Sequence, residues 1–397
     1  ACLLIKCNGF SIITDPWLFG PAFLNGWWLE EPSSEDSIDE LKNADIIYIS
    51  HNHPDHLHPE TLSLVPKDKL IITPNFKSNS SRNYLRNLGF TNIHNLNFKD
   101  ILEVKKDFQI SILKSGDFRD DSGLYIFANG HELLLTVDSN FLNSNVLPTD
   151  IDILFTAFAS GASGFPLCYE NFSVEEKNNI LERNRRSMVA NVVSYNKLTK
   201  PKYYFPYAGM FSEKALRDSE IQKKNIKNTF EDYEKALRFL NTSIVGPRKD
   251  EIFTLKDRIL EKRKIDYTPL STKNISFYIQ NLKSENPLNL ESIVSYFTNS
   301  NFISNQILYL IPTDENFQAI QNQIIYANFY NQEFKIIPSS EISIDSTENK
   351  IMIMKVRSEA LMCVINNYLP WEDLSIGFQI RVKRYPNSYE SDFWFHF

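Results

Sequence analysis

The sequence predicts an α/β protein, with a sheet-dominated α/β unit over residues 1–265 and a smaller α+β module over 266–397. Three observations predict it. Up to about residue 150, short β-rich runs alternate with turn signals. Between Asn171 and Lys200 the apolar residues recur at helical spacing. Past Lys256 a charge-rich stretch, DRILEKRKIDYTP, interrupts the sheet-building pattern before strands resume.

The opening runs CLLIK and FSIITD form a strand pair, and the β-branched runs ADIIYIS and KLIITP are expected as buried strands. DFQISIL, GLYIFA, ELLLTVD and IDILFT extend the sheet. In the helical stretch, Ile180, Leu181, Met188 and Val192 mark the apolar side, and Ser173 with Glu176 fits a capping box. PKYYFPYAG is a further strand, and the charged stretch from Glu213 to Asn241 is expected to be helical. Beyond the break, IYANFY and KIMIMKV are strands, and the chain finishes on the aromatic DFWFHF.

Composition narrows the function. A chain that is 42% apolar and 13% aromatic can bury a sizeable core. A net charge of −7, from 42 basic and 49 acidic residues, excludes a general nucleic-acid binder, yet leaves room for a basic patch around a small anionic substrate. Cys2, Cys7, Cys168 and Cys363 form no C-x-x-C pair, so free thiols in a reducing, cytoplasmic setting are expected. The apolar start is interrupted by Lys6 and Asn8, which argues against a membrane span or a signal peptide.

The stretch YISHNHPDHLHPETL holds four of the seven histidines. It follows a predicted buried strand. In extended chain, residues two apart point the same way, so His51 and His53 can grip one ion. The turn at Pro54 sends Asp55 and His56 toward a second position. Neutral imidazoles with a carboxylate suit zinc or iron; the alternative is a polar loop capping a helix. His58, followed by Pro59, is expected to face solvent, and His94, His131 and His396 are expected to be structural or surface residues.

The same residues carry a family resemblance. Asp15-Pro16-Trp17-Leu18, Gly20-Pro21-Ala22-Phe23, Trp27-Trp28, YISHNHPDHL and Gly161-Ala162-Ser163-Gly164-Phe165-Pro166 resemble the CMP-N-acetylneuraminic acid hydroxylase family, a branch of the metallo-β-lactamase fold. Phe205-Pro206-Tyr207-Ala208-Gly209, Asn225-Ile226-Lys227-Asn228, Pro247-Arg248, WEDLSIGFQIRV and DFWFHF continue the likeness in the same order, over essentially the whole chain. It implies a metallo-β-lactamase αβ/βα sandwich with the smaller C-terminal module. The implied activity is oxygen-dependent hydroxylation of the N-acetyl group of a CMP-linked sialic acid. The family's electrons arrive through cytochrome b5 and a Rieske domain. No cysteine here is followed by histidine at Rieske spacing, so no Rieske cluster is expected in this chain; the electrons are then expected from a separate electron-transfer protein or from an upstream portion outside this sequence, unless the branch has changed its chemistry.

By resemblance, Asp138 matches the carboxylate that bridges two metals, and Asp117, in Lys114-Ser115-Gly116-Asp117-Phe118, is the best match to a ligand histidine. The expected metal set is therefore His51, His53, Asp55, His56, Asp117 and Asp138, with Asp55 and Asp138 the catalytic carboxylates. A further family histidine would fall near Ala215, where Glu213 is the nearest replacement, and a family aspartate is replaced by Ala157. Two histidines with one carboxylate favour iron, with one or two ions. Ser163 and Gly164 lie on a small-residue loop that can bring backbone N–H groups to an anion. Arg248 is the basic residue expected at the substrate, whereas Arg185 and Arg186 equally suit a solvated helix face. Two enzymatic readings follow: an iron oxygenase acting on a nucleotide-sugar-like or other anionic metabolite, and a zinc hydrolase whose bound water is the nucleophile. A non-catalytic ligand-binding protein is the third.

Overall fold

A computed structural model describes residues 1–397 apart from 118, 160, 247 and 345–349, with the backbone alone at Gly161 and Ala162. Phe118 and Pro247, quoted above, thus lie outside the described residues. Among the described residues, two sheets face each other at the centre. One runs Leu3–Cys7, Phe10–Thr14, Ile46–Tyr48, Ile71–Pro74, Ile93–Leu96, the last four strands parallel. The other runs Ser243–Ile244, Tyr203–Ala208, Ile153–Ala157, His131–Leu135, Ser122–Ala128, Phe108–Lys114, Ile101–Lys105.

Alternating apolar side chains explain the stacking. Ile12, Ile46, Tyr48 and Ile72 meet Ile110, Ile112, Leu124, Ile126 and Leu135 in one core, each contributing about 1.5–3 kcal/mol when fully buried. The outer faces are covered by helices. Asp36–Asn43 and Ser80–Asn87 bury Leu41 and Leu85 on the first sheet, while Val174–Thr199 and Phe230–Leu237 bury Val192, Tyr195, Tyr233 and Leu237 on the second. The layers are helix, sheet, sheet, helix, as the αβ/βα expectation requires. Val174–Thr199 starts at the expected capping box, with Ser173 Oγ accepting from the Glu176 amide and the Glu176 carboxylate accepting from the Ser173 amide.

Two expectations need correction. The stretch from Glu213 to Asn241 is not one helix: a 3-10 turn at Leu216–Asp218 leads to Ser219–Lys224, and a new helix starts at Phe230. Asn225 breaks it by turning its amide onto Glu213 at 2.8 Å. The charge-rich stretch after Lys256 is a strand, Ile259–Lys264, paired with Glu251–Lys256. The few apolar residues of this hairpin do the anchoring, since Phe253, Leu255 and Leu260 pack on the central core while the charges of Ile259–Lys264 face water.

The C-terminal sheet runs Glu333–Pro338, Gln323–Asn328, Gln306–Thr313, Lys350–Arg357, Ile380–Tyr385. Its buried face shares a core with the N-terminal segment: Trp17, Ala22, Phe23 and Trp27 cluster with Phe297, Trp371, Phe378 and Phe393. The contact is intimate. A side chain at Gly26 would meet the Gly377 carbonyl at 2.3 Å, and one at Gly377 the Phe23 carbonyl at 2.2 Å. No helix among the described residues is long and apolar enough to cross a membrane, and the four cysteines are free thiols.

Candidate metal centre

The parallel register Thr14↔Tyr48 sets two strand ends side by side and places Asp15 next to the loop that follows Tyr48. The fully buried Asp15 accepts from the Ser50 amide at 2.7 Å and from Ser50 Oγ at 2.8 Å. Its Oδ2 also lies 3.0 Å from His56 Nδ1, so that nitrogen carries the proton and Nε2 faces inward. There His56 Nε2 meets Asp55 Oδ2 at 3.3 Å and Asp138 Oδ2 at 3.4 Å. His51 Nε2 and His53 Nδ1 approach to 2.9 Å, both aimed at one point. One ligand atom each from His51, His56 and Asp138 falls within 4.8 Å of the others.

A further acid completes the ring. Asp121 Oδ1 lies 3.5 Å from His51 Nδ1. Its place is fixed by the next residue: Ser122 Oγ donates to the Ser50 carbonyl at 2.8 Å and pairs with the Tyr48 hydroxyl at 2.7 Å. Asp117 is not brought to the histidines. Its Oδ2 accepts from Arg119 at 2.7 and 3.0 Å, and its Oδ1 from the Arg119 amide at 3.1 Å and Ser115 Oγ at 3.2 Å. Arg119 also donates to the Asp138 carbonyl at 3.2 Å.

The electrostatics suit a cation. Burial, then the neighbouring His56 and His53, holds His51 well below the usual imidazole range, as a neutral donor. Burial works against a charged His56, but Asp55, Asp138 and Asp15 push it well up. Burial likewise opposes charge on His53, yet the hydrogen bond and charge of Glu372 raise it to about 9. Asp121 is raised to about 7 by burial and then by Asp138, whereas Asp138 is lowered, because His56 outweighs its burial. Protons on these rings thus balance the carboxylates, and a bound cation would displace them.

The other candidates lie elsewhere. Glu213 is buried and engaged by Asn225 at 2.8 Å and Lys227 at 3.4 Å, away from the histidines. Gly164 sits under the Phe378 ring and Asn225, which an added Cβ would meet at 2.7 and 2.9 Å. The Ser163 carbonyl accepts from Asn184 at 3.0 Å. Arg248 is exposed, while Arg185 meets Asn228 and Arg186 meets Glu182 on the long helix. His58 corrects its expectation: it is 2% exposed, capping Pro59–Leu62 through the Thr61 amide and bonding the Pro21 carbonyl, and burial lowers it to about 4. His131 pairs with Asp152.

Residues 1–124 match the family model described as a beta-lactamase superfamily domain. A cytidine monophosphate-N-acetylneuraminic acid hydroxylase from Danio rerio is 32% identical over all of this chain and 70% of its own length. This chain belongs to the cytidine monophosphate-N-acetylneuraminic acid hydroxylase family. A Homo sapiens member, 30% identical over all of this chain and 83% of its own, is named an inactive form, so membership in the hydroxylase family fixes ancestry and not turnover. Among solved structures, a variant of CmlA β-hydroxylase aligns over 67% of this chain and 52% of its own at 17% identity and TM-score 0.43. The fold is that of the metallo-β-lactamases.

Asp15, Asp121, Arg119 and Glu372 are the site residues that sequence reasoning missed as such. Asp15 stood in a quoted motif, and an acid at the end of an apolar strand beside the histidine strand was its signal. Asp121 is the acid directly before a strand. Glu372 has no local signal, lying 319 positions from the histidine it touches.

Proposed function

We propose that this chain is a metal-dependent oxygenase, with iron as its metal, that hydroxylates or otherwise oxidises a nucleotide-sugar-like anionic metabolite using electrons from a separate protein. The observation that carries the reading is the convergence of His51, His53, His56, Asp55, Asp121 and Asp138 at the sheet ends with little fixed positive charge to match them. Membership in a hydroxylase family supports the reaction class. His51 Nε2 and His53 Nδ1 would hold one cation, with Asp121 backing the other ring nitrogen of His51, while Asp117, first assigned to that ion, is held by Arg119. Asp55, His56 Nε2 and Asp138 would hold a second. Mixed imidazole and carboxylate donors fit iron. When bound, iron supplies the redox chemistry by which dioxygen oxidises a C–H bond.

The remaining work belongs to the chain itself. Asp15 keeps His56 Nε2 directed inward. Asp55 and Asp138 are the proposed catalytic carboxylates, and Asp138, its side chain 31% exposed, is the one within reach of an entering molecule. Arg119, 36% exposed, steadies the Asp138 segment and offers positive charge beside the opening. The Ser163–Gly164 backbone and Arg248 are the other proposed contacts to an anionic substrate.

The test is elemental analysis of protein purified without added metal, with oxygen uptake measured on CMP-linked sialic acid and a reductant. Iron near one or two equivalents, lost in His51→Ala and kept in His58→Ala, with substrate-dependent oxygen uptake, is expected. Zinc with phosphodiester or amide cleavage would move the assignment to a metallo-hydrolase, and no retained metal would refute both.

A further inference from the structure

The C-terminal module reaches the metal centre through Glu372. Glu372 Oε1 lies 3.3 Å from His53 Nε2, while the other ring nitrogen, Nδ1, faces His51 Nε2 at 2.9 Å. A carboxylate is an acceptor only, so Nε2 must carry a hydrogen, which leaves Nδ1 as the nitrogen that can give its lone pair to a cation. The short helix bearing Glu372, Glu372–Ile376, is fastened from both sides. Trp27 Nε1 donates to the Ile376 carbonyl at 3.0 Å, Cys168 Sγ reaches the Ser375 carbonyl at 3.4 Å, and the fully buried Trp371 donates its amide to the Phe397 carbonyl at 2.9 Å. Phe23, whose ring centroid is 5.8 Å from that of His53, belongs to the same shared core.

We infer that Glu372 is a positioning residue for the metal centre: it fixes the tautomer and orientation of His53, so that the C-terminal module completes a site otherwise built by the N-terminal sandwich. The inference rests on the metal reading above. Carboxylates that orient a ligating histidine typically govern metal affinity by about 10–100-fold. Glu372 does so from a rigid helix across the seam, touching the histidine and leaving the cation to others.

The experiment is anaerobic competition for Fe2+ against a chelator, run on the full chain as wild type, H53A, E372A and E372Q, with thermal melting of each metal-free protein. E372A should hold Fe2+ about 10–100-fold more weakly. E372Q, which keeps an amide oxygen for the Nε2 hydrogen, should lie within a few-fold of wild type, and the metal-free melting temperatures of wild type, E372A and E372Q should coincide. Equal retention in E372A and wild type, with loss in H53A, overturns this proposal alone. E372Q as weak as E372A overturns the acceptor role, and an E372A that melts early without metal makes Glu372 structural. A wild type that retains no Fe2+, or an H53A that retains it fully, overturns the metal reading and this inference with it.

Discussion

Two buried charged clusters sit in this molecule and are built on opposite plans. At the seam, Arg217 pairs with Glu359 at 2.7 Å and Arg357 with Asp218 at 2.8 Å, and Gln379 accepts from both guanidiniums. Two fixed cations meet two fixed anions. At the sheet ends, Asp15, Asp55 and Asp138 face His56, Asp121 faces His51 and Glu372 faces His53, while Arg119 spends its carboxylate bonds on Asp117. The first cluster is neutral as folded, whereas the second is balanced only by protons or by something brought in. Closure distinguishes a structural network from a binding one, because charges in low dielectric must be matched from somewhere.

That contrast can be broken most directly at Arg357. Its replacement by Met should destabilise the protein by about 3–5 kcal/mol in urea unfolding, because the buried Asp218 loses its 2.8 Å partner and is left facing Arg217 at 3.8 Å, while metal content stays at wild type. Asp121→Asn should do the reverse, abolishing metal retention while leaving metal-free stability unchanged or raised. Equal destabilisation by both would erase the distinction.

Asp373 sharpens the comparison through pH. Burial drives its carboxyl from 3.8 to about 7, and one of its oxygens has no partner. The folded state therefore binds this proton more tightly than the unfolded chain does, so its contribution is complete below the ordinary Asp range and disappears as pH rises through 7. Asp373→Asn should remove that decline, gaining on the order of 4 kcal/mol over wild type at pH 8 in metal-free urea unfolding. Identical slopes for the two proteins between pH 4 and 7 would show that Asp373 finds compensation. His58→Ala should cost about 1–2 kcal/mol through its lost helix cap, measured by thermal melting, with metal content intact. Smallest of all, Arg186→Ala on the exposed helix face should shift stability by less than about 0.5 kcal/mol, a result that a larger change would contradict.

Much of this was legible in the sequence, for definite reasons. The strands of the two central sheets announced themselves because both faces of each sheet are covered, which demands apolar runs such as ADIIYIS. The capping box at Ser173 is local chemistry, and it stands where the residues place it. The histidine stretch marked one side of the candidate site for the same reason. What escaped was decided at long range. Nothing local tells which of Asp117, Asp120 and Asp121 turns inward; the strand beginning at Ser122, pinned by Tyr48 and Ser50, decides it. His58 was expected outside because Pro59 follows it, yet its ring lies near those of Trp17 and Phe19. Charge masked the hairpin strand Ile259–Lys264, whose anchoring residues are sparse.

The glycine contact between Gly26 and Gly377 has a consequence for how the protein is made. A nascent chain can lay down the histidine loop and the sheet that carries it before the C-terminal module is made. The hydrophobic cluster holding Trp17, Phe23 and Trp27 is closed only by residues as late as Phe393 and Phe397. A polypeptide cut before Trp371 would therefore leave those aromatic residues uncovered, a client for chaperones and proteases.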